Sequence, residues 1–509
     1  MKSSIFLISL LLLVSLTQQA FREVLFGPLP LDYRHHRALV AIAENLLKDP
    51  TYRCSVVVHD FDIHFWRHTN CALYPWGDQV PLVKIKKQYE EARGLSLFNR
   101  VKEEVMNSAH YLDAYIESDL IQRLSNYHFD LIICDHTSIP CLVTGAILKI
   151  ERTIHFSPTC PAPWASAFQS HPSYIPSPDA TMDTQMTFKQ RTLNLIYDHA
   201  NHIRDNLIVI MVGAGLIRKG YLGYLTKLLK TRDELYMAQC VTGFNYPEYH
   251  PPNVIDIGPL FARSPQELET DPLNFMEKHE KIVYFGVQGL EECVEFSYLI
   301  EAFKKHPRIG FVIASDYYKG YPFDYTYPYN LYYLPSTYAN DILGHPKTFA
   351  SITYGDWEMI LQSLYHGIPV ISIGHSFDRG TNGKLLEYQE AGIFMPNECD
   401  IASERFFENI DKLISYPYYG RNAWRISKLI QQNNANETIK EWTDYYFDHG
   451  VSELVVRDYA HKWSIRFDRV FIVFEPFFII GIGSIVFYFL VKRIQKELKE
   501  FFRSNQEIY

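Results

Sequence analysis

Positive charge is scarce in this 509-residue chain: 49 Lys and Arg face 58 Asp and Glu, a formal net charge of −9. With an isoelectric point near 6.1, composition offers no basic surface for a polyanion and no reason to expect a nucleic-acid partner. Cysteine is sparse too. The eight residues Cys54, Cys71, Cys134, Cys141, Cys160, Cys240, Cys293 and Cys399 are scattered, with no C-x-x-C or zinc-like cluster. Neither a disulfide scaffold nor a metal site follows from such spacing, although isolated bridges stay open. No short repeat or low-complexity tract stands out, and the Tyr- and Pro-dense run Tyr317–Tyr338 reads as folded loop. Apolar residues, in contrast, make up 47% of the chain against 21% charged, a globular composition. The length exceeds one ordinary core, so two large domains are expected. Aromatics at 15% suit either an apolar ligand pocket or well-filled cores.

Both ends carry targeting signals. The first 20 residues hold one Lys and then an apolar run too short to span a bilayer, which reads as a secretory signal peptide cut near Ala20. Val470–Val491 is apolar except for Glu475, about the length of a membrane-crossing helix. Glu475 and Pro476 fall in its first turn, where they are tolerated. Arg469 precedes the run, whereas Lys492, Arg493, Lys496 and Lys499 follow it. That bias places the tail in the cytosol and the preceding residues in the lumen of a single-pass type I protein. On that side Asn436-Glu437-Thr438 is a glycosylation sequon.

Between the ends the chain alternates strand and helix patterns. Val24–Phe26, a Pro-containing loop Gly27–Tyr33, a helix-like stretch Ala38–Leu47 and the β-branched run Ser55–His59 make a β-loop-α-β opening. Leu131–Cys134 reads as a buried strand ending at Asp135, with a helix from Cys141 to Lys149. After a Pro-rich connection, Tyr246–Pro259, the rhythm restarts. Strands are expected at Lys281–Val287, Ile309–Ser315, Leu331–Leu334, Phe349–Thr353 and Pro369–Ile373, with a helix at Glu291–Lys305. Ligands of such sheets sit beyond the carboxyl ends of the strands.

Two residues at such positions can do acid–base chemistry. His35 lies at the loop-to-helix junction after the first strand, and an imidazole titrates near neutrality. Asp135 closes a later strand, where a carboxylate can orient a histidine and stabilise its charged form. Taken alone, His35 reads better as a surface residue at a helix start, and Asp135 equally as a cap for the following turn.

Ordered motifs decide between these readings. Leu343-Gly344-His345-Pro346, Ile352-Thr353, Gly355, Gly367-Ile368-Pro369, Asp378 and Asn382 follow one another in a single stretch. Upstream stand Tyr33-Arg34-His35, Phe129-Asp130 through Asp135 with Pro140-Cys141, Phe156-Ser157-Pro158 and Pro172-Ser173-Tyr174-Ile175-Pro176. Gln185-Met186-Thr187-Phe188 and Asn194-Leu195-Ile196-Tyr197 continue the series. From about residue 24 to the apolar run, the chain resembles the UDP-glycosyltransferases, the family that includes animal glucuronosyltransferases. The resemblance implies an α/β fold of GT-B type: two Rossmann-like domains facing a cleft, plus a C-terminal transmembrane helix. It divides the chain into a signal peptide (1–20), an acceptor-binding domain (21–250), a UDP-sugar-binding domain (251–450), a juxtamembrane segment (451–469), the membrane helix (470–491) and a cytosolic tail (492–509).

By the same resemblance His35 is the base that deprotonates an acceptor hydroxyl and Asp135 supports it. The neighbouring Arg34 stands where the family has Ser, and a cation there is expected to lower the pKa of the base. The donor positions are Gln288 and Gly289 for the diphosphate turn, Tyr354 and Gly355 after the Thr, Gln362 for the ribose, and Asp378 with Arg379 for the sugar. Several differ from the family: Tyr354 replaces His, Asp356 Gly, Glu358 Asn, Gln362 Glu, and Arg379 Gln. Each lost hydrogen bond to a charged group costs roughly 1.5–3 kcal/mol. Two or three such losses weaken donor binding by about 10³-fold. Arg379 either pairs with the carboxylate of a glucuronate or bridges to Asp356 or Glu358 in an empty site.

The resemblance therefore implies inverting transfer of a glucuronate or glucose from a UDP-sugar to a hydroxyl of a lipophilic small molecule. No cofactor or metal is called for, because the UDP-sugar is a co-substrate. The alternative is a catalytically impaired relative that binds lipophiles or partners with active homologues, alone or as a homo- or hetero-oligomer. A transmembrane receptor would explain the topology but none of the ordered matches. Residence in the endoplasmic reticulum membrane, with the large domains lumenal, follows from family and topology.

Overall fold

The computed structural model describes residues 21–30, 33–77, 102–103, 105–106, 112, 115–116, 118–136, 138–160, 175–177, 182, 184–218, 220, 234–247, 251–286, 296–314, 328–334, 338–374, 378–455, 488 and 492. The signal segment, Gln288, Gly289 and, apart from Tyr488, the apolar run 470–491 lie outside the described residues. Among the described residues no helix is long and apolar enough to cross a membrane.

Two parallel sheets lie within one compact unit, Met1–Ser452. The first uses β1 (Arg22–Gly27), β2 (Tyr52–His59), β3 (Ala72–Trp76), β4 (Leu131–Asp135), β5 (Arg152–Ser157), β6 (Leu235–Ala238) and β7 (Val254–Asp256). Its order is β3-β2-β1-β4-β5-β6-β7. The second uses β8 (Lys281–Gly286), β9 (Ile309–Ala314), β10 (Leu331–Leu334), β11 (Thr348–Thr353), β12 (Val370–Ile373) and β13 (Gly392–Met395), in the order β10-β9-β8-β11-β12-β13. Central strands such as Leu131–Asp135 are buried at every position, as expected for parallel strands covered on both faces. In each sheet the direction of winding reverses once, between β1 and β4 and between β8 and β11. Crevices form at those reversals, beyond the strands' carboxyl ends.

The helices that bear on these crevices are α1 (Tyr33–Leu46), α2 (Ile139–Ile147), α3 (Phe188–Arg218), α4 (Trp357–Tyr365), α5 (Asp378–Tyr388), α6 (Glu404–Ser415), α7 (Pro417–Ile430) and α8 (Ala435–His449). Two sequence expectations are corrected. The first helix begins at Tyr33, not Ala38, because its polar opening turn is buried under the sheet crevice and carries His35 and His36 inward. The Pro-rich connection is not all linker: its Val-Ile-Asp run pairs with β6 as the last strand of the first sheet, so that sheet runs beyond residue 250.

The lobes are joined at α8 and at α4. Helix α8 returns to the first lobe, where Asp444 meets Arg22 and accepts from the Tyr52 hydroxyl at 2.6 Å. Lys440 lies 3.0 Å from Asp49, and Arg152 donates to the Tyr446 carbonyl at 3.3 Å. The second joint is apolar: Trp357, at the head of α4, stacks on Phe244 with ring centroids 5.6 Å apart. Its indole N–H donates to the Gln239 carbonyl at 2.7 Å.

Two disulfides are present among the described residues, Cys134–Cys141 and Cys160–Cys240. Cys399 is also disulfide-bonded. The first ties the end of β4 to the start of α2. Gly27 lies against it so closely that a Cβ there would fall 2.2 Å from the Cys141 sulfur, which explains a glycine at the end of β1.

Candidate active site

The first crevice holds the acid–base pair. The Nδ1 of His35, in the first turn of α1, is hydrogen-bonded to the Asp135 carboxylate at the end of β4. His35 is 7% exposed and Asp135 fully buried. A hundred residues separate them in sequence, and the winding reversal between β1 and β4 brings them together. Once Nδ1 is committed to the carboxylate, Nε2 is the nitrogen that accepts a proton. The buried carboxylate then stabilises the imidazolium that forms. His136 lies 3.7 Å from the other Asp135 oxygen, and burial pushes its pKa down to about 4, against the pull of Asp135. It is therefore neutral at physiological pH and does not compete for the carboxylate's charge. The Cys134–Cys141 bridge and the bond from the Ser138 N–H to the Asp135 carbonyl at 2.9 Å hold this strand end in place.

The second crevice is bounded by β8 and β11. Beyond Thr353 the chain passes buried Tyr354 and turns at Gly355, whose φ of +74° favours glycine. A Cβ at Gly355 would also meet the Arg379 backbone at 2.8 Å. Asn382 of α5 donates to the Gly355 carbonyl at 2.9 Å. The loop is thus clamped against the helix that starts at Asp378. Asp378 opens that helix, while its side chain lies outside the described residues.

Asp356 is the N-cap of α4 and accepts from the Met359 N–H at 3.3 Å. Glu358 accepts from the Gln362 amide at 2.9 Å. Gln362 is 1% exposed, and its side-chain Oε1 has no hydrogen-bond partner. Two arginines cross from α1 to these carboxylates. Arg34 reaches Asp356 at 3.5 Å and Arg37 reaches Glu358 at 2.9 Å. Arg37 also lies over the Phe261 ring, 4.3 Å from its centroid.

Arg34 directs its guanidinium to Asp356 across the cleft, where the N-cap carboxylate attracts it. Asp356 and Glu358 are held by Arg34 and Arg37, while Arg379 lies 5.7 Å from the Tyr354 ring centroid. Sequence reading singled out neither Arg37 nor Trp357. A signal for Arg37 existed: it stands one turn after Arg34, so the two share a helix face.

Burial pushes the Glu358 carboxyl up to about 7, with Arg37 opposing the shift and Asp356 adding to it. Between the ordinary value of 4.5 and about 7 the folded chain holds a proton that the unfolded chain releases. Stability contributed by this group therefore falls as pH rises through that window. Glu358→Gln is expected to flatten this part of the stability–pH curve. Denaturation midpoints of both proteins between pH 4.5 and 7 check it, and parallel curves would refute it.

Among the described residues no three His, Cys, Asp or Glu side chains converge as a metal site. Asn436 is exposed in the first turn of α8, and its carbonyl accepts from the Asn45 amide at 2.6 Å.

Comparison with known proteins agrees with this architecture. Residues 44–449 match the family described as UDP-glucoronosyl and UDP-glucosyl transferase. UDP-glucuronosyltransferase 2A2 of Homo sapiens is 24% identical over 362 residues, which are 68% of this chain and 65% of that protein. UDP-glucuronosyltransferase 2B19 of Macaca fascicularis is 25% identical over 379 residues, 69% of this chain and 68% of that one. Among solved structures, the glycotransferase of kitacinnamycin superposes with a TM-score of 0.57 at 13% identity, covering 83% of this chain and 99% of that one. At that identity the likeness shows a shared GT-B-like fold.

Proposed function

Because this chain belongs to the UDP-glycosyltransferase family, we propose that it transfers glucuronate or glucose from a UDP-sugar to a hydroxyl of a lipophilic small molecule. The observation that carries this reading is the buried His35–Asp135 pair at the winding reversal of the first sheet. His35 Nε2 takes the hydroxyl proton as the acceptor oxygen bonds to the anomeric carbon. The bond from that carbon to UDP breaks on the opposite face, its electron pair leaves with UDP, and the configuration inverts. Rate enhancement comes from alignment of the two substrates and from stabilisation of the departing diphosphate. The apolar run 470–491 and its basic flank support a membrane-anchored, lumenal placement, which suits lipophilic acceptors.

A second reading, a chain that binds lipophiles without turnover, is favoured by Asp356 and Glu358, two carboxylates at the helix end that faces the donor crevice. The full-length protein in detergent or lipid, tested for UDP release with a panel of UDP-sugars and phenolic acceptors, separates the two. The proposed function predicts acceptor-dependent UDP release with at least one donor. Absence of release with every donor, with acceptor binding retained, would establish the second reading.

A further inference from the structure

The end of a helix that opens onto a crevice presents unpaired N–H groups and the positive end of its dipole, a natural place for an anion. In α4 that place is filled from within, by Asp356 at the cap and Glu358 in the first turn. Arg34 and Arg37 contribute two positive charges from the facing lobe. The two guanidinium groups face the two carboxyl groups, but the fit is incomplete. Arg34 stands 3.5 Å from Asp356, longer than an ordinary charge-assisted hydrogen bond. Gln362, buried among these residues, donates through Nε2 to Glu358 while its side-chain Oε1 has no partner. A buried acceptor left unpaired costs free energy that a donor hydroxyl on a ligand would recover.

We propose that Arg34 and Arg37 are the diphosphate ligands of this chain's donor site, and that Asp356 and Glu358 are internal stand-ins that hold them until a nucleoside diphosphate exchanges in. The proposal rests on the donor reading given above. A diphosphate brings at least two negative charges and offers guanidinium groups more acceptor oxygens than the carboxylates do. Its arrival turns both arginines from the carboxylates onto a ligand seated on the same lobe as those carboxylates, so the donor itself bridges the lobes. Gln362 is then placed to accept from a hydroxyl of the nucleoside. The arrangement also explains why a site carrying two extra acidic residues keeps two cations opposite them.

Binding of UDP and of uridine to the full-length protein, measured by calorimetry, tests this. Asp356→Asn with Glu358→Gln removes the stand-ins and is expected to tighten UDP by about tenfold or more. Arg34→Gln with Arg37→Gln is expected to weaken UDP by a similar factor. Uridine, without phosphates, should change little in either variant, which also reports that the site still folds. Unfolding midpoints near the wild-type value in both variants guard against loss of fold. Unchanged UDP affinity in the carboxylate variant, or equal effects on UDP and uridine, would overturn the proposal. Failure of the transferase reading looks different: UDP binds and responds to these charges, yet no sugar is transferred.

Discussion

Replacement of Trp357 by Ala is expected to destabilise the protein by about 3–5 kcal/mol, the usual range for losing a buried Trp. The residue is 2% exposed and belongs to the cluster that joins Ala238, Val241 and Phe244 of the first lobe's connection to α4, α5 and α7. Its loss leaves a cavity and also strands the buried Gln239 carbonyl that accepts its N–H. Trp357→Phe keeps most of the volume and removes only the donor, so a smaller cost of about 1–3 kcal/mol is expected. Since Trp357 immediately follows the N-cap Asp356, the Ala variant should also loosen the Arg34 and Arg37 contacts. Denaturant unfolding of wild type and both variants checks the order. Identical midpoints would mean that this joint does not hold the lobes.

His35→Ala is expected to lower turnover by about 10²–10⁴-fold, the usual contribution of a positioned general base. Asp135→Asn should fall in the same range, because an amide can hold the imidazole in the tautomer whose Nε2 carries the proton. Neither residue belongs to the second crevice, so affinity for UDP should stay at the wild-type value. A drop in turnover matched by an equal loss of UDP binding would instead indicate general damage to the cleft.

Much of this was visible in the chain itself. Buried β-branched runs such as Leu131–Cys134 mark parallel strands, and residues just past such strands line crevices; His35 and Asp135 stand at such positions, among ordered motifs. The short Val254–Asp256 strand was hidden because three residues between prolines and polar groups carry too little pattern to outweigh loop chemistry. The ion pairs from Arg34 and Arg37 to Asp356 and Glu358 span more than 300 positions, and no local periodicity encodes a partner that distant. The Cys134–Cys141 bridge matched no familiar spacing. It forms because a strand and the helix after it fold back across one loop.

The same physical reasoning links the two halves of the site. The first lobe contributes a base whose proton affinity is supported by a buried carboxylate. It also contributes two guanidinium groups, from the same helix, to the opposite lobe. Helix α1 therefore reaches both the position proposed for the acceptor and the position proposed for the diphosphate, and a small movement of that helix would alter both at once.

The most direct test of the central claim is the anomeric configuration and yield of product formed from an α-linked UDP-sugar, read by NMR for wild type and His35→Ala side by side. The account predicts a β-linked product from wild type and almost none from the variant. An α-linked product, or equal yields from the two proteins, would contradict it.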